Sequence, residues 1–251
     1  MIENGRYYND REKIYHEKRK DFISKYSPED IAENPMLFAS YNQITEFYTT
    51  FKIFELCKDI SGDIVECGVF CGNSLMLYAH LLENLQPYVL DKKIIGFDTF
   101  EGFDDSFINK DKDKASLNKI TSSMFKDTDY ERLNQSIKVH DSRRALGHIE
   151  KIKLVKGDAC KTIRKYVEEN QELVISLLYI DFDLYEPTKI ALEYLYPCVP
   201  KGGIVVFDEF SYSKYPGETI AVKETIGLSL IHISEPTRRT PISYAVFCLK
   251  K

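Results

Sequence analysis

Five short apolar runs recur along the chain, and most of them lead directly into an acidic residue. They are Ile64–Cys67, Ile94–Phe97, the run that begins at Lys151, Leu173–Asp181 and Ile204–Asp208. Continuous apolar runs of this length are typical of strands that are buried on both faces of a parallel sheet. Helical patterns lie between the runs, so the sequence predicts an α/β fold with a doubly wound, mostly parallel sheet.

The first 60 residues have a helical pattern instead. Residues 1–26 are highly charged, and we expect a loosely packed helical arm there. Ser27–Asp30 offers an N-cap serine, a proline at the first helical position and acids in the first turn, which predicts a helix start. Helical spacing of apolar residues predicts a further helix over Ile44–Ile60. We therefore predict a helical extension at 1–60 and a main domain at 61–227.

Acidic side chains follow the last two predicted strands. Asp181 and Asp183 come after one strand, and Asp208 and Glu209 come after the next. The carboxyl ends of parallel strands form the edge at which open α/β sheets bind ligands. Hard divalent cations prefer oxygen ligands such as carboxylates. The pattern predicts a divalent metal site with a general base beside it.

A glycine-rich turn joins the first predicted strand to the next helix. Gly68 and Gly72 permit a tight bend and close backbone approach, which is typical of a cofactor site at a helix N-terminus. Glu66 opens this motif. Asp98 ends the following strand, where such folds hold the ribose hydroxyls of a nucleoside cofactor. The alternative is a turn that serves packing alone.

The choice of cofactor lies between NAD and S-adenosylmethionine. The dinucleotide fingerprint requires Gly-x-Gly-x-x-Gly so that a pyrophosphate can approach the helix. Here the first two glycines are four positions apart, and the carboxylate of Glu66 stands beside them. A carboxylate disfavours a pyrophosphate and suits a ligand that carries an ammonium group and a sulfonium. Charge therefore favours S-adenosylmethionine, and NAD remains the alternative.

A long polar stretch, residues 104–150, interrupts the predicted domain. It is rich in Lys, Asp, Ser and Asn and has no strong periodicity before about Ala145. Polar stretches of this length inside a compact domain are usually functional lids or insertions. We predict a lid or insertion at 104–150.

Composition narrows the range of partners. The chain has 251 residues, a net charge of −5 and 43% hydrophobic residues, so neither nucleic acid nor an anionic membrane is an expected partner. The six cysteines lack CxxC spacing, which predicts neither a zinc site nor a disulfide framework. No apolar run approaches the length of a membrane helix, and the N-terminus is too polar for a secretory signal. We expect a cytoplasmic protein, and homo-oligomerisation is left open.

We interpret the last segment, Leu228–Lys251, as not belonging to the native protein. Its sequence, LSLIHISEPTRRTPISYAVFCLKK, resembles a translated sequencing adapter followed by a poly-A run. We therefore interpret residues 228–251 as a non-native tail and assign no function to them. The native fold is then expected to be truncated near Gly227.

Taken together, the motifs resemble those of the macrocin O-methyltransferase family. They are ECGVFCGNS, GFDTFEGF, VKGD, YIDFDLYEPT and GGIVVFDEF, in that order between Asp63 and Gly227. The resemblance implies a Rossmann-like S-adenosylmethionine-dependent methyltransferase fold with a seven-stranded sheet. It also implies a typically magnesium-dependent enzyme that methylates a hydroxyl of a sugar or a glycosylated small molecule.

The resemblance also implies roles for individual residues. Asp181, Asp208 and Glu209 match the metal ligands, although the family usually has a second aspartate in place of Glu209. Asp183 matches the proposed general base. The implied cofactor-binding residues are Glu66, Gly68, Gly72, Ser74, Asp98 and Asp158. Of these, Asp158 lies near the adenine, and Ser74 either contacts the cofactor's carboxylate or caps a helix.

A further expectation about the sheet follows from the truncation. The family has two more strands after the Gly202–Phe210 unit, the last of them antiparallel, and we find no credible equivalent before Gly227. We therefore expect an exposed sheet edge, which is an aggregation hazard.

The functional alternatives are an NAD-dependent sugar oxidoreductase and an inactive cofactor-binding fragment.

Overall fold

The structure is a computed structural model that describes residues 10–102, 108–113, 129–228, 233–234 and 247–250. The helices in these residues are α1 Asp10–Ile23, α2 Pro28–Glu33, α3 Pro35–Phe38, α4 Tyr41–Cys57, α5 Asn73–Leu85, α6 Tyr130–Arg143, α7 Ala159–Glu169, α8 Tyr185–Tyr194 and α9 Pro216–Thr225. The strands are β1 Asp63–Cys67, β2 Ile94–Asp98, β3 Ile152–Lys156, β4 Ile175–Ile180, β5 Ile204–Phe207, β6 Ile233–Ser234 and β7 Phe247–Lys250. None of the described helices is both long and apolar enough to cross a membrane.

The strands of the described residues form one sheet in the order β3-β2-β1-β4-β5-β7-β6. Strands β1 to β5 are parallel, whereas β7 runs antiparallel to β5 and β6 runs antiparallel to β7. The chain order reverses between β1 and β4, as it does in doubly wound sheets at the point where they bind ligands. The predicted α/β class and mostly parallel sheet are confirmed.

Apolar side chains cover both faces of the sheet. Successive residues of a strand point to opposite faces, so Ile64 packs into one core and Val65 into the other. The first core includes side chains of α4, α5 and α6, such as Phe54 and Tyr78, and the second includes those of α7, α8 and α9. This burial on both faces explains why β4 and β5 have continuous apolar sequences.

The chain divides into two compact units, Met1–Phe47 and Tyr48–Lys251. This division falls within α4, before the boundary that we predicted at residue 60. In the first unit, the predicted helix start at Ser27 is confirmed by a capping box. The backbone N–H of Asp30 donates to Ser27 Oγ at 3.1 Å, and the Ser27 N–H donates to Asp30 Oδ2 at 3.2 Å.

The predicted insertion at 104–150 contains a helix that the sequence analysis did not predict. Helix α6 begins at Tyr130, and Asp129 caps it by accepting a hydrogen bond from the Arg132 backbone N–H at 2.9 Å. Leu133 and Ile137 are buried in the core beside α5. The second half of the stretch is therefore part of the packed domain, whereas residues 103–107 and 114–128 lie outside the described residues.

The expected exposed edge of the sheet is not found at β5. Strand β7 pairs with β5 over four positions, from Ile204 with Lys250 to Phe207 with Phe247. Our expectation of an exposed edge was wrong because the strand that covers β5 comes from the segment we had set aside as a non-native tail. An antiparallel partner satisfies the backbone donors and acceptors of β5 that would otherwise face solvent.

Candidate active site

The carboxyl ends of four neighbouring strands form one edge of the sheet. Phe97, Cys67, Ile180 and Phe207 pair in turn across β2, β1, β4 and β5. Because these strands are parallel and in register, the residues that follow each strand lie side by side. The glycine turn and the acidic residues predicted from the sequence therefore meet at this edge.

The turn after β1 requires glycine at two positions. Gly68 has a φ of +93°, and a Cβ atom there would lie 2.0 Å from the backbone oxygen of Asp181. Gly72 has a φ of +81°, and a Cβ atom there would lie 2.5 Å from the Leu133 side chain. Positive φ and direct backbone approach both favour glycine. The turn is thus pressed against the end of β4, where the acidic residues begin.

Asp98 organises this turn from the end of β2. Its Oδ2 accepts hydrogen bonds from the backbone N–H groups of Val69 and Phe70, both at 2.8 Å. Its Oδ1 accepts a hydrogen bond from the Phe100 N–H at 2.7 Å. One carboxylate therefore fixes the backbone of two loops, and the ribose-binding role of Asp98 stays a prediction.

Glu66 and Ser74 contact each other beneath the turn. Glu66 is 1% exposed on β1, and Ser74 Oγ donates a hydrogen bond to its Oε1. Ser74 is the second residue of α5, and the N-cap position of that helix is Gly72, where no side-chain cap is found. The helix-capping alternative for Ser74 is therefore wrong, and a role in cofactor binding stays a prediction.

Asp158 caps α7 at the end of β3. Its carboxylate accepts a hydrogen bond from the Cys160 backbone N–H at 2.9 Å and pairs with Lys161 Nζ at 3.1 Å. The preceding Gly157 donates its N–H to the backbone oxygen of Asp98 at 2.9 Å. Asp158 thus lies near the Asp98 loop, and its contact with the adenine stays a prediction.

Asp181, Asp183, Asp208 and Glu209 form an acidic cluster at the ends of β4 and β5. Burial and the charges of Asp208 and Asp183 raise the pKa of Asp181 well above its usual range. Burial and Asp208 raise the pKa of Asp183 to about 7. The carboxylates thus lie close enough to oppose each other's ionisation, which is common where titratable groups share a functional site.

The backbone and a tyrosine position two members of the acidic cluster. Asp183 has a φ of +60°, in the left-handed region that Asp and Asn enter more readily than other side chains. Asp208 is 7% exposed, and its Oδ1 accepts a hydrogen bond from the Tyr179 hydroxyl at 3.0 Å. Strained backbone of this kind is often found at functional sites.

Glu218 also faces this cluster and was not predicted from the sequence. Its side chain is 0% exposed in the first turn of α9, and its Oε1 accepts a hydrogen bond from the Glu209 backbone N–H at 3.1 Å. Burial and the charges of Asp208 and Asp183 raise its pKa well above the usual range. In sequence it is an ordinary acid in a helix's first turn, so no local signal identifies it.

The donor chemistry of these residues fits a hard divalent cation. All five side chains offer carboxylate oxygens, the ligand type that Mg²⁺ prefers, and the charges that act most strongly on Asp181 are other carboxylates. Among the described residues, however, no three His, Cys, Asp or Glu side chains are arranged so that they could hold a metal ion. The described carboxylates thus have the donor type of a cation site without being arranged as one in this structure.

Asp113, from the predicted insertion, is a second functional candidate that the sequence analysis missed. It is fully buried, and its Oδ1 accepts a hydrogen bond from the Tyr185 backbone N–H at 3.0 Å, at the start of α8. Its Oδ2 accepts one from the Asn109 N–H at 2.9 Å, and Asn109 Nδ2 donates to Glu186 Oε1 at 2.9 Å. This loop therefore holds the N-terminus of the helix that follows Asp183.

Stability should fall with rising pH because of Asp113. Burial raises its pKa from 3.8 to about 6, so the folded state holds the proton more tightly than the unfolded state does. Its contribution is therefore complete below pH 4 and is lost, by about 3 kcal/mol in all, as the pH rises through 6. In urea unfolding between pH 4 and pH 7, Asp113→Asn should make this dependence less steep, while the buried carboxylates of Asp181, Asp183 and Glu218 still contribute to it. Asp111→Asn, at an exposed site in the same loop, should retain the wild-type slope. Equal slopes for all three proteins would contradict the assignment.

Comparison with known proteins identifies relatives of the chain. The family model described as macrocin O-methyltransferase (TylF) matches residues 44–225. The crystal structure of the calicheamicin methyltransferase CalS11 is 31% identical, with a TM-score of 0.87 over 98% of this chain and 94% of that chain. An apo structure of CalS11, described as a TDP-rhamnose 3'-O-methyltransferase, is 29% identical, with a TM-score of 0.80 over 98% of this chain and 96% of that chain. The O-methyltransferase NovP shares the fold, with 19% identity and a TM-score of 0.62 over 81% of this chain and 79% of that chain. No match was found among curated proteins.

Proposed function

The chain belongs to the macrocin O-methyltransferase family, and we propose that it transfers the methyl group of S-adenosylmethionine to a hydroxyl of a sugar or a glycosylated small molecule, assisted by a divalent cation. The observation that carries this proposal is the adjacency of the glycine turn and the acidic cluster, where Gly68 leaves no room for a Cβ beside Asp181. A cofactor turn and a cluster of proton acceptors in contact suit a transfer between two bound molecules.

A sugar acceptor is supported by the relatives described above. The one that shares 29% identity over most of both chains is described as acting on TDP-rhamnose. We therefore place nucleotide sugars first among the acceptors to be tested. Macrolide sugars and surface polysaccharides are the other glycosides in the proposal.

Cofactor binding is assigned to the turn after β1. Gly68 and Gly72 provide the close backbone approach, and Asp98 holds the turn in shape through Val69 and Phe70. Glu66 supplies a buried carboxyl group at this place. S-adenosylmethionine carries both an ammonium group and a sulfonium, and its methyl group is made electrophilic by the sulfonium.

The cation is assigned to three members of the acidic cluster. Asp181, Asp208 and Glu209 would hold it with carboxylate oxygens. A bound divalent cation supplies Lewis acidity, which lowers the pKa of a coordinated hydroxyl and orients it. Glu209 has a longer side chain than the aspartate usual in the family and offers the same carboxylate oxygens to a cation.

Proton transfer is assigned to Asp183. An alcohol is a weak nucleophile at neutral pH because it stays protonated. Asp183 would accept the hydroxyl proton on its carboxylate as the oxygen attacks the methyl carbon. Burial and Asp208 raise the pKa of Asp183 to about 7, which is close to the pH at which such a base would operate.

The decisive experiment is a calorimetric titration of S-adenosylhomocysteine into the full chain, with and without MgCl₂. We expect a dissociation constant on the order of micromolar. Incubation with S-adenosylmethionine and TDP-rhamnose should then give a product with one added methyl group, detected by mass spectrometry. A folded protein that binds NADH and not S-adenosylhomocysteine would overturn the proposal. Cofactor binding without methyl transfer to any glycoside would favour an inactive cofactor-binding protein.

A further inference from the structure

Glu218 has an unusual environment for a carboxylate. Its side chain is 0% exposed, and only one of its two oxygens has a hydrogen-bond partner among the described residues. That oxygen, Oε1, accepts the hydrogen bond from the Glu209 backbone N–H at 3.1 Å, whereas Oε2 is buried and has no partner in the part of the chain that the structure describes. A buried polar atom without a partner costs free energy, so it usually indicates a missing ligand, ion or water.

The packing of α9 keeps Glu218 in this place. Gly217, the residue before it, has no room for a side chain, since a Cβ atom would lie 2.0 Å from Asp113 Oδ1 and 2.6 Å from the Tyr185 backbone nitrogen. The N-terminus of α9 is thus pressed against the Asp113 loop and the start of α8. Glu218 is therefore held against Glu209 rather than turned to solvent.

The neighbours of Glu218 carry the same charge. Glu209 contacts it through its backbone N–H, and Asp208 precedes Glu209 at the end of β5, so both neighbours belong to the acidic cluster. Removing a carboxylate from water costs several kcal/mol unless a positive charge or a full set of hydrogen bonds compensates it. A divalent cation between these groups would supply that charge and a partner for Oε2.

We propose that Glu218 is a fourth carboxylate of the cation centre, together with Asp181, Asp208 and Glu209. This inference rests on the proposed function, because that function places a divalent cation in the acidic cluster. The rival interpretation is structural: Glu218 only holds the Glu209 backbone through Oε1. In the first interpretation cation binding depends on the negative charge of Glu218, and in the second it does not. An uncharged side chain of the same shape therefore distinguishes them.

Glu218→Gln introduces that side chain, since its amide oxygen can still accept the Glu209 N–H. In titrations of MnCl₂ into the full chain, followed by calorimetry and by the electron paramagnetic resonance of free Mn²⁺, we expect at least a tenfold weaker dissociation constant. Without metal, the same variant should have a higher melting temperature than wild type, because a carboxylate no longer has to be removed from water or protonated on folding. Glu193→Gln, an exposed change on α8, is the matched control and should leave both values unchanged.

The outcomes separate this inference from the proposed function. If wild type binds Mn²⁺ and Glu218→Gln binds it equally well, Glu218 is not part of the cation centre, and the proposed function stands. If wild type binds no divalent cation, both the inference and the cation in the proposed function are wrong. A further measurement avoids the variant altogether: Mg²⁺ should slow amide hydrogen exchange in the first turn of α9 of wild type, and unchanged exchange there would contradict the inference.

Discussion

Asp183→Asn is expected to lower the rate of methyl transfer by about 100- to 10,000-fold, the usual contribution of a general base. The amide of asparagine cannot accept the hydroxyl proton. Asparagine also enters the left-handed backbone region readily, so the φ of +60° at this position should be retained. The affinity for S-adenosylhomocysteine, measured by calorimetry, should therefore stay at the wild-type value.

The matched control for this change is Asp91→Asn. Asp91 is exposed and precedes β2, at the amino ends of the strands, whereas the acidic cluster lies at their carboxyl ends. The Asp91→Asn variant should keep the wild-type turnover and cofactor affinity. Undiminished turnover in Asp183→Asn would remove Asp183 from the mechanism, and loss of cofactor binding would indicate that it supports the fold of the site instead.

Asp98→Ala is expected to abolish cofactor binding and to destabilise the protein. The change leaves the backbone N–H groups of Val69, Phe70 and Phe100 without their acceptor. A lost hydrogen bond to a charged group typically costs about 1.5 to 3 kcal/mol, so we expect a loss of about 3 kcal/mol or more in the free energy of unfolding. Urea unfolding measures the stability, and calorimetry should show at least a hundredfold weaker binding of S-adenosylhomocysteine.

Asp63→Ala separates a general loss of stability from damage to the turn. Asp63 Oδ1 accepts a hydrogen bond from the Lys93 N–H at 2.7 Å. Like the contacts of Asp98, this bond joins the β1 and β2 segments, but it lies at the amino ends of the strands, away from the glycine turn. This variant should be less stable and should bind the cofactor as wild type does. If Asp98→Ala binds S-adenosylhomocysteine normally, Asp98 is neither a ribose ligand nor the support of the turn.

Local sequence was sufficient to predict the five parallel strands. Strands such as β4 are buried on both faces, and a strand of that kind can be recognised from an unbroken apolar run without any tertiary information. The glycine turn was equally predictable, because positive φ and close backbone approach leave glycine as the only residue without strain at Gly68. The order of the motifs was enough to indicate the family.

Helix α6 was not predictable in this way. Its buried face consists mainly of Leu133 and Ile137, and the rest of the helix is polar. Two apolar residues in a polar stretch do not give a clear helical period, and what stabilises the helix is packing against α5 and the sheet. The stretch was therefore interpreted as a lid or insertion along its whole length.

The strand-end acids were predictable from sequence because parallel strands in register bring their carboxyl ends to one edge, wherever the strands lie along the chain. Asp113 and Glu218 were not, because each acts on a partner that local spacing does not reveal. Asp113 caps a helix that begins 72 positions later, and Glu218 reaches Glu209 only because α9 folds back over the end of β5. The sequence by itself determined the five parallel strands, the turn and the acids that follow the strands. Which further carboxylates are buried against that edge was decided only by the packing of α8 and α9.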